Sequence, residues 1–385
     1  MPRRLSALLS ILLAALVVAP IASARVLASI TRATTGSLTI AFEGPLTGSQ
    51  ASNGQDMLRG TQLAVAEINK GGGVLGLKLK LITGNDKADA TVGAAVANSL
   101  IAQNPFALIG PYNSSVGVEN LPLYEAAGVL PVQLTSTDDT TGMGVTVQPK
   151  NSQISPVEVQ WMTAQKVGKV SILWDPSTYT KGMADRLARS LTKKGVLVTK
   201  IKIDPSKKNF TAQVRQALTN NPAVVYASTY FPQGAIIAKE LMAQAAQGNE
   251  ADCFMGLGNQ DQKFITQAGV AAASRCTFSG VPTANQFANT KAKAYVKNYT
   301  KKFNKAPGTW GTFTYDSVYT LVAAIKKAGS VDVNLVTQKI LQTKNLAGVT
   351  GPITINATTG NRPNVPIAIL SVNASGQFTL ESITT

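Results

Sequence analysis

Short apolar runs alternate with helical stripes along nearly the whole chain from Leu38 onward. Runs of strand length fall near 38–42, 77–83, 106–110 and 129–134, and periodic stretches near 54–70, 91–103 and 115–127 predict helices between them. In the first helix Leu58, Thr61, Val65 and Ile68 share one face at helical spacing. A second series starts at Val167, with strands near 169–174, 196–203, 223–228, 252–256 and 275–279 and helices near 180–194, 209–220, 233–247 and 260–269. Strands alternating with helices imply parallel sheets covered on both faces, so two successive series predict an α/β chain with two lobes. The polar, proline-bearing stretch 146–156 separates the series, and 280–286 and 348–352 are two further candidate joints. The chain has no internal repeat and no low-complexity tract.

Residues 38–81 form one strand–loop–helix–turn–strand unit, whose loop carries Gly44, Pro45, Gly48 and Gly54. Ligands of open α/β sheets bind at the carboxyl ends of the strands, where such a loop lies. Gly71–Gly76 satisfies the spacing G-x-G-x-x-G, but it follows a helix and precedes a strand. A dinucleotide fingerprint needs the reverse order, so the cluster reads as a helix cap and tight turn.

The N-terminus has the pattern of a secretory signal peptide over residues 1–24. Arg3 and Arg4 precede an apolar stretch from Leu5 to Val18, and Ala22-Ser23-Ala24 fits a cleavage site. No cysteine follows for lipid attachment, and no other stretch suits a bilayer span, so a periplasmic or secreted mature protein is expected. Export permits a disulfide between Cys253 and Cys276, which sit at the edges of successive predicted strands; two buried free thiols are the alternative.

Charge adds little. The chain carries 36 basic and 20 acidic residues, a net +16, dispersed in pairs such as Lys193-Lys194 and Lys301-Lys302. These read as solvated helix faces and not as a nucleic-acid footprint. A positive field can still raise the capture rate of an anionic solute. The absence of histidine excludes Ser-His-Asp and Cys-His catalysis and zinc sites built on histidine. No phosphate-loop motif occurs, so no enzymatic activity, metal or cofactor is expected.

Residues 106–132 carry more specific chemistry. A strand ends at Gly110-Pro111, and Asn113, Ser114 and Ser115 stand where the next helix begins. Hydroxyls and free N–H groups at a helix start suit a carboxylate, although N-capping explains the same residues. The following strand likewise ends in small polar residues, Thr135, Ser136 and Thr137.

The wording of the opening unit is distinctive: Pro45-Leu46-Thr47-Gly48, Arg59-Gly60, Ala64-Val65 with Ile68-Asn69, then Gly72-Gly73-Val74 and Gly76. It resembles the solute-binding proteins of branched-chain amino acid ABC importers, which are type I periplasmic binding proteins. The resemblance covers nearly all of residues 37 to 380. It implies two Rossmann-like lobes joined by a three-strand hinge, lobe 1 comprising 37–149 plus 282–347 and lobe 2 comprising 150–281 plus 348–385. It implies a small-molecule solute as ligand and ABC permease subunits as partners; a sensor that reports to a membrane receptor is the alternative function.

The same resemblance assigns site residues. Ser114 matches a ligand-contacting serine, and Thr135 and Thr137 match the strand end that holds the α-ammonium and α-carboxylate. Tyr179 and Tyr230 match cleft tyrosines of the second lobe, and Trp310 matches an aromatic position of the cleft. Two departures stand out. Asn53 replaces a cleft tyrosine, and no acid falls at Gly258 or Asn259, where family members pair the ligand ammonium. Asp261 lies two or three residues later. An unpaired buried ammonium is costly, so either Asp261 reaches the ligand or the ligand is an amide or a carboxylate without the amine.

Overall fold

The computed structural model describes residues 36–384. The expected signal peptide lies outside the described residues. The first sheet is built from β1 (Ser37–Gly44), α1 (Ala51–Lys70), β2 (Lys78–Asn85), α2 (Ala90–Ile101), β3 (Ala107–Ile109), α3 (Ser114–Ala126) and β4 (Leu130–Val132). Its four strands run parallel in the order β2-β1-β3-β4. Strand β1 is covered on both faces, which is why it reads as an unbroken apolar run. Leu38, Ile40 and Phe42 pack with Met57, Ala64 and Ile68 of α1, whereas Ala41 packs with Ala97, Leu100 and Tyr124 of α2 and α3.

The chain then crosses to a second sheet through α4 (Asn151–Ala164) and runs β5 (Lys169–Trp174), α5 (Thr178–Thr192), β6 (Leu197–Lys202), α6 (Thr211–Leu218), β7 (Val224–Ser228), α7 (Phe231–Ala245), β8 (Asp252–Met255), α8 (Gln262–Ala268), α9 (Val270–Ala273) and β9 (Cys276–Gly280). After these come α10 (Thr290–Phe303), α11 (Gly311–Ala328), α12 (Val333–Leu341), β10 (Leu346–Gly348), β11 (Gly351–Ile353), β12 (Ile367–Val372) and β13 (Phe378–Thr384). The second sheet has the order β13-β12-β9-β8-β7-β5-β6, parallel from β9 to β6 and antiparallel at β12 and β13. Helices α10 and α11 return to pack against α1. Cys253 and Cys276 face each other in the β8–β9 register and are bonded.

Each strand read from the sequence is present within two residues of its expected ends. One segment differs. The stretch 146–156 reads as a polar joint, but from Asn151 it is the start of α4, with Pro156 inside the helix. The polar residues there occupy the first turn, where free N–H groups need partners: Gln153 accepts from the Lys150 N–H, and Lys150 occupies the N-cap. Ile154, Val157 and Met162 bury the opposite stripe against the second sheet. The glycine cluster at 71–76 is a cap and turn, with Gly71 at the C-cap of α1 and positive φ at Gly72, Gly73 and Gly76.

The chain segments that pass between the sheets are tied to each other. Thr146 and Asn361 form a parallel bridge, and the Arg362 N–H donates to Thr146 O at 3.0 Å. The buried Arg362 guanidinium donates to Thr350 Oγ1 at 2.7 Å and Thr350 O at 2.8 Å. Asp316 accepts from the Val349 and Thr350 N–H groups, both at 2.8 Å. At the remaining passage the Gln260 side chain exchanges two hydrogen bonds with the backbone of Val281.

Candidate functional site

The carboxyl ends of both sheets face a cavity lined by Tyr112, Ser114, Ser136, Tyr179, Tyr230, Leu257, Gly258 and Trp310. Its volume is about 10 Å3, room for roughly one water molecule. The polar groups of the lining come from the first-sheet side. Ser114 opens α3, and Asn113 is the N-cap without a side-chain cap bond. Asn113 instead donates to Gln50 Oε1 at 2.9 Å. The Val116 and Gly117 N–H groups bond back to Asn113 O, so those of Ser114 and Ser115 remain at the open end of the helix. The Thr137 N–H donates to Ser114 Oγ at 3.2 Å and so fixes the hydroxyl in place.

The rest of the lining is aromatic, with Tyr112 and Trp310 on the first-sheet side and Tyr179 and Tyr230 on the second-sheet side. Tyr179 and Tyr230 lie with ring centroids 5.7 Å apart, Tyr112 meets Tyr230 edge-on at 6.5 Å, and Trp310 lies 5.6 Å from Tyr112. Burial holds the phenols of Tyr112, Tyr179 and Tyr230 above the ordinary tyrosine range, so they stay neutral. Trp310 is aimed by Asp56, whose Oδ2 accepts from the Trp310 and Gly311 N–H groups at 3.1 and 2.7 Å. Gly258 leaves the rings their space, since a Cβ there would lie 2.8 Å from Thr229 O and 3.1 Å from Tyr179. The two walls also bond directly: Ser115 Oγ accepts from the Thr178 N–H at 3.0 Å, and Asp138 pairs with Arg186.

The structure therefore brings Ser114, Ser136, Tyr179, Tyr230 and Trp310 together, with Asn113 and Ser115 bordering them. Other residues of the sequence reading go elsewhere. Thr137 presents its N–H to the seat, while its hydroxyl turns to Asp139 at 3.0 Å. Thr135 faces a buried cluster of Gln133, Thr140 and Lys150 behind the wall. The Asn259 amide is spent on the carbonyls of Ala227, Thr229 and Gly256. Asp261 caps α8 and accepts from Ser52 Oγ at 2.7 Å; with Asn53 it lines a separate, wider depression of about 570 Å3 beside Arg59 and Lys263. Burial raises the Asp261 carboxyl, and the Lys263 N–H and Ser52 lower it in part.

Tyr112 is the main omission of the sequence reading. It lies in the strand-end turn between Pro111 and Asn113, and an aromatic side chain in such a turn is itself a signal. Asp56 carried no such signal, because its partners are more than two hundred residues away in sequence.

The cavity has no charged residue in its lining. It can hold an anion by hydroxyl and N–H donors on one side and an apolar or planar body among rings on the other. No group of histidine, cysteine, aspartate or glutamate suited to a metal occurs among the described residues. No helix among them is long and apolar enough to cross a membrane.

Comparison with known proteins agrees with this architecture. The periplasmic binding protein family model matches residues 37–377. The Leu/Ile/Val-binding protein BraC3 of Rhizobium johnstonii is 30% identical over 329 residues, covering 83% of this chain and 88% of its own. The branched-chain amino acid transporter substrate binding protein LivJ of Streptococcus pneumoniae, solved with isoleucine, superposes with a TM-score of 0.80 at 24% identity, over 90% of this chain and 98% of its own. A solute binding protein of an ABC transporter from Rhodopseudomonas palustris, solved with 3,4-dihydroxybenzoic acid, gives a TM-score of 0.80 at 19% identity, over 91% of this chain and 97% of its own. With its two strand-end walls and a match over nearly its whole described length, the chain belongs to the periplasmic binding protein family.

Proposed function

We propose that this chain captures a small carboxylate-bearing solute outside the cytoplasmic membrane and delivers it to an ABC importer, closing about a three-strand hinge. The observation that carries the ligand class is the cavity lining: Ser114 at the start of α3 and Ser136 in the loop after β4 meet four aromatic rings, with no carboxylate among them. A solute with an α-ammonium would find no acid in that lining, since Asp261 is committed to Ser52 and to the start of α8. Burying that cation unpaired would cost several kcal/mol. A carboxylate without the amine, and above all an aromatic one, meets both walls.

The hinge reading rests on volume. A cavity of about 10 Å3 admits no amino acid or aromatic acid, so a solute enters only if the walls part. The lobes that part would be 37–149 plus 282–347 and 150–281 plus 348–385. Ligand then favours the closed form by its contacts to both walls, and only by its differential affinity for that form. Ser114 with the 135–137 strand end would receive the solute first, and Tyr179 and Tyr230 would complete the shell.

A thermal-shift screen with benzoate, 3,4-dihydroxybenzoate, benzamide, urea and isoleucine tests this reading, because a ligand of the native state alone raises Tm. Aromatic carboxylates are expected to raise it most. A larger shift with isoleucine would overturn the amine-free assignment.

A further inference from the structure

Lys150 is fully buried at the point where the chain leaves the first sheet. Its ammonium donates to Gln133 Oε1 at 3.1 Å, Thr137 O at 3.1 Å and Thr140 Oγ1 at 2.8 Å. All three acceptors are neutral, and no carboxylate lies within ion-pair distance of Lys150 among the described residues. A buried cation without a counter-ion is expensive unless something offsets it. The same short loop presents Ser136 to the cavity and gives the Thr137 N–H to Ser114 Oγ. The next residue, Asn151, donates its N–H to Ser136 O at 2.7 Å. Lys150 thus stands directly behind the polar wall, one residue and two hydrogen bonds from the Ser114 hydroxyl.

We propose that Lys150 is a specificity-determining residue that acts through the 136–137 loop: its buried charge biases the cavity toward anionic solutes without touching them. The inference rests on the solute-capture reading above and names the electrostatic source of its selectivity. At an effective dielectric constant near 20, a unit charge on the order of 10 Å from a carboxylate would be worth roughly ten-fold in affinity, whereas a neutral isostere gains almost nothing. The charge also titrates in an accessible range. Burial pushes the Lys150 ammonium down to about 7, against the opposing pull of Asp138 and Asp139. Asp138 is itself paired with Arg186 of α5, and Arg362 is the other buried cation near this passage. Glu158 on the same helix and Glu43 and Asp86 at the first sheet also titrate between about 6 and 8, so the pH response needs its own control.

The test compares benzoate with benzamide on the full chain by calorimetry between pH 6 and pH 8.5, for the native protein, Lys150→Met and Lys150→Arg. Benzoate itself stays ionised throughout. The expected result is roughly ten-fold weaker benzoate binding in Lys150→Met with benzamide nearly unchanged. Native affinity for benzoate should fall as pH rises through 7, and Lys150→Arg should bind benzoate with that pH dependence removed. Equal losses for both ligands in Lys150→Met would make Lys150 a purely structural clamp and overturn the inference. So would a pH dependence that survives in Lys150→Arg, which would assign it to the buried acids. Native protein that binds benzamide but not benzoate overturns the inference and leaves solute capture standing. Native protein that binds neither these two nor any other member of the screen overturns the solute reading itself.

Discussion

At the residue scale the cavity depends on a few side chains held in place by hydrogen bonds from their neighbours. Ser114 is the clearest case: it is buried, it opens α3, and it takes the Thr137 N–H at 3.2 Å. Removing its hydroxyl deletes one donor to the solute and leaves the Thr137 N–H unsatisfied. Ser114→Ala is therefore expected to weaken carboxylate binding by about 1.5–3 kcal/mol while lowering the stability of the unliganded protein by only about 1 kcal/mol. Titration calorimetry and urea melts check the two numbers separately, and unaltered affinity would remove Ser114 from the seat. Of the residues marked from the sequence, Ser114, Ser136, Tyr179, Tyr230 and Trp310 meet in one cavity because each stands at a strand's carboxyl end or a helix start. For Ser114 and Ser136 that position is legible in the linear pattern; Tyr179, Tyr230 and Trp310 are marked by the family resemblance. The direction of a side chain at such an end is not legible: Thr135 and Thr137 are two residues apart, yet one faces the Lys150 cluster and the other offers its N–H to the seat.

At the element scale α1 and α11 pack closely at Gly60. A Cβ built on Gly60 would lie 2.1 Å from Gly311 O and 2.6 Å from Thr314 Oγ1. That contact lets Asp56, one turn earlier, reach the start of α11 and hold Trp310. Gly60→Ala should cost about 2–3 kcal/mol by urea melts, since overpacking outweighs the gain in helix propensity of about 1 kcal/mol. Gly168→Ala, with open space around its Cβ, is the matched control and should change little. Solute affinity should fall in Gly60→Ala as well, because α11 carries Trp310 at its N-cap. Element existence as far as β9 was readable from apolar period and turn residues, whereas α10 to α12 and β10 to β13 were not read. The start of α4 was not readable, because polar residues and Pro156 there look like a loop until their capping partners are known.

At the scale of the whole molecule, buried acids set the pH response. Burial raises the Glu43 and Glu158 carboxyls from an ordinary 4.5 to about 8; Glu43 accepts from Asn120 and Tyr124, and Glu158 from Tyr226 and Ser279. In the window between these values the folded state holds protons that the unfolded chain has released, so stability falls as pH rises. Lys150 has the opposite sign: lowered to about 7, it makes stability rise with pH above that value. The unliganded protein should therefore melt higher at pH 5.5 than at pH 7, and Glu158→Gln should flatten part of that slope. A melting temperature that climbs between these pH values would refute the assignment. The sequence by itself determined the alternation of strands and helices, hence the parallel sheets, the fold class and the strand ends where ligands bind, because periodic burial is written locally. Only the tertiary structure decided which strand-end residues share a cavity, that Tyr112 joins them, that Asp261 turns to Ser52 and that Lys150 lies behind the seat. Those outcomes depend on contacts between segments far apart in the chain, and no local pattern encodes such contacts.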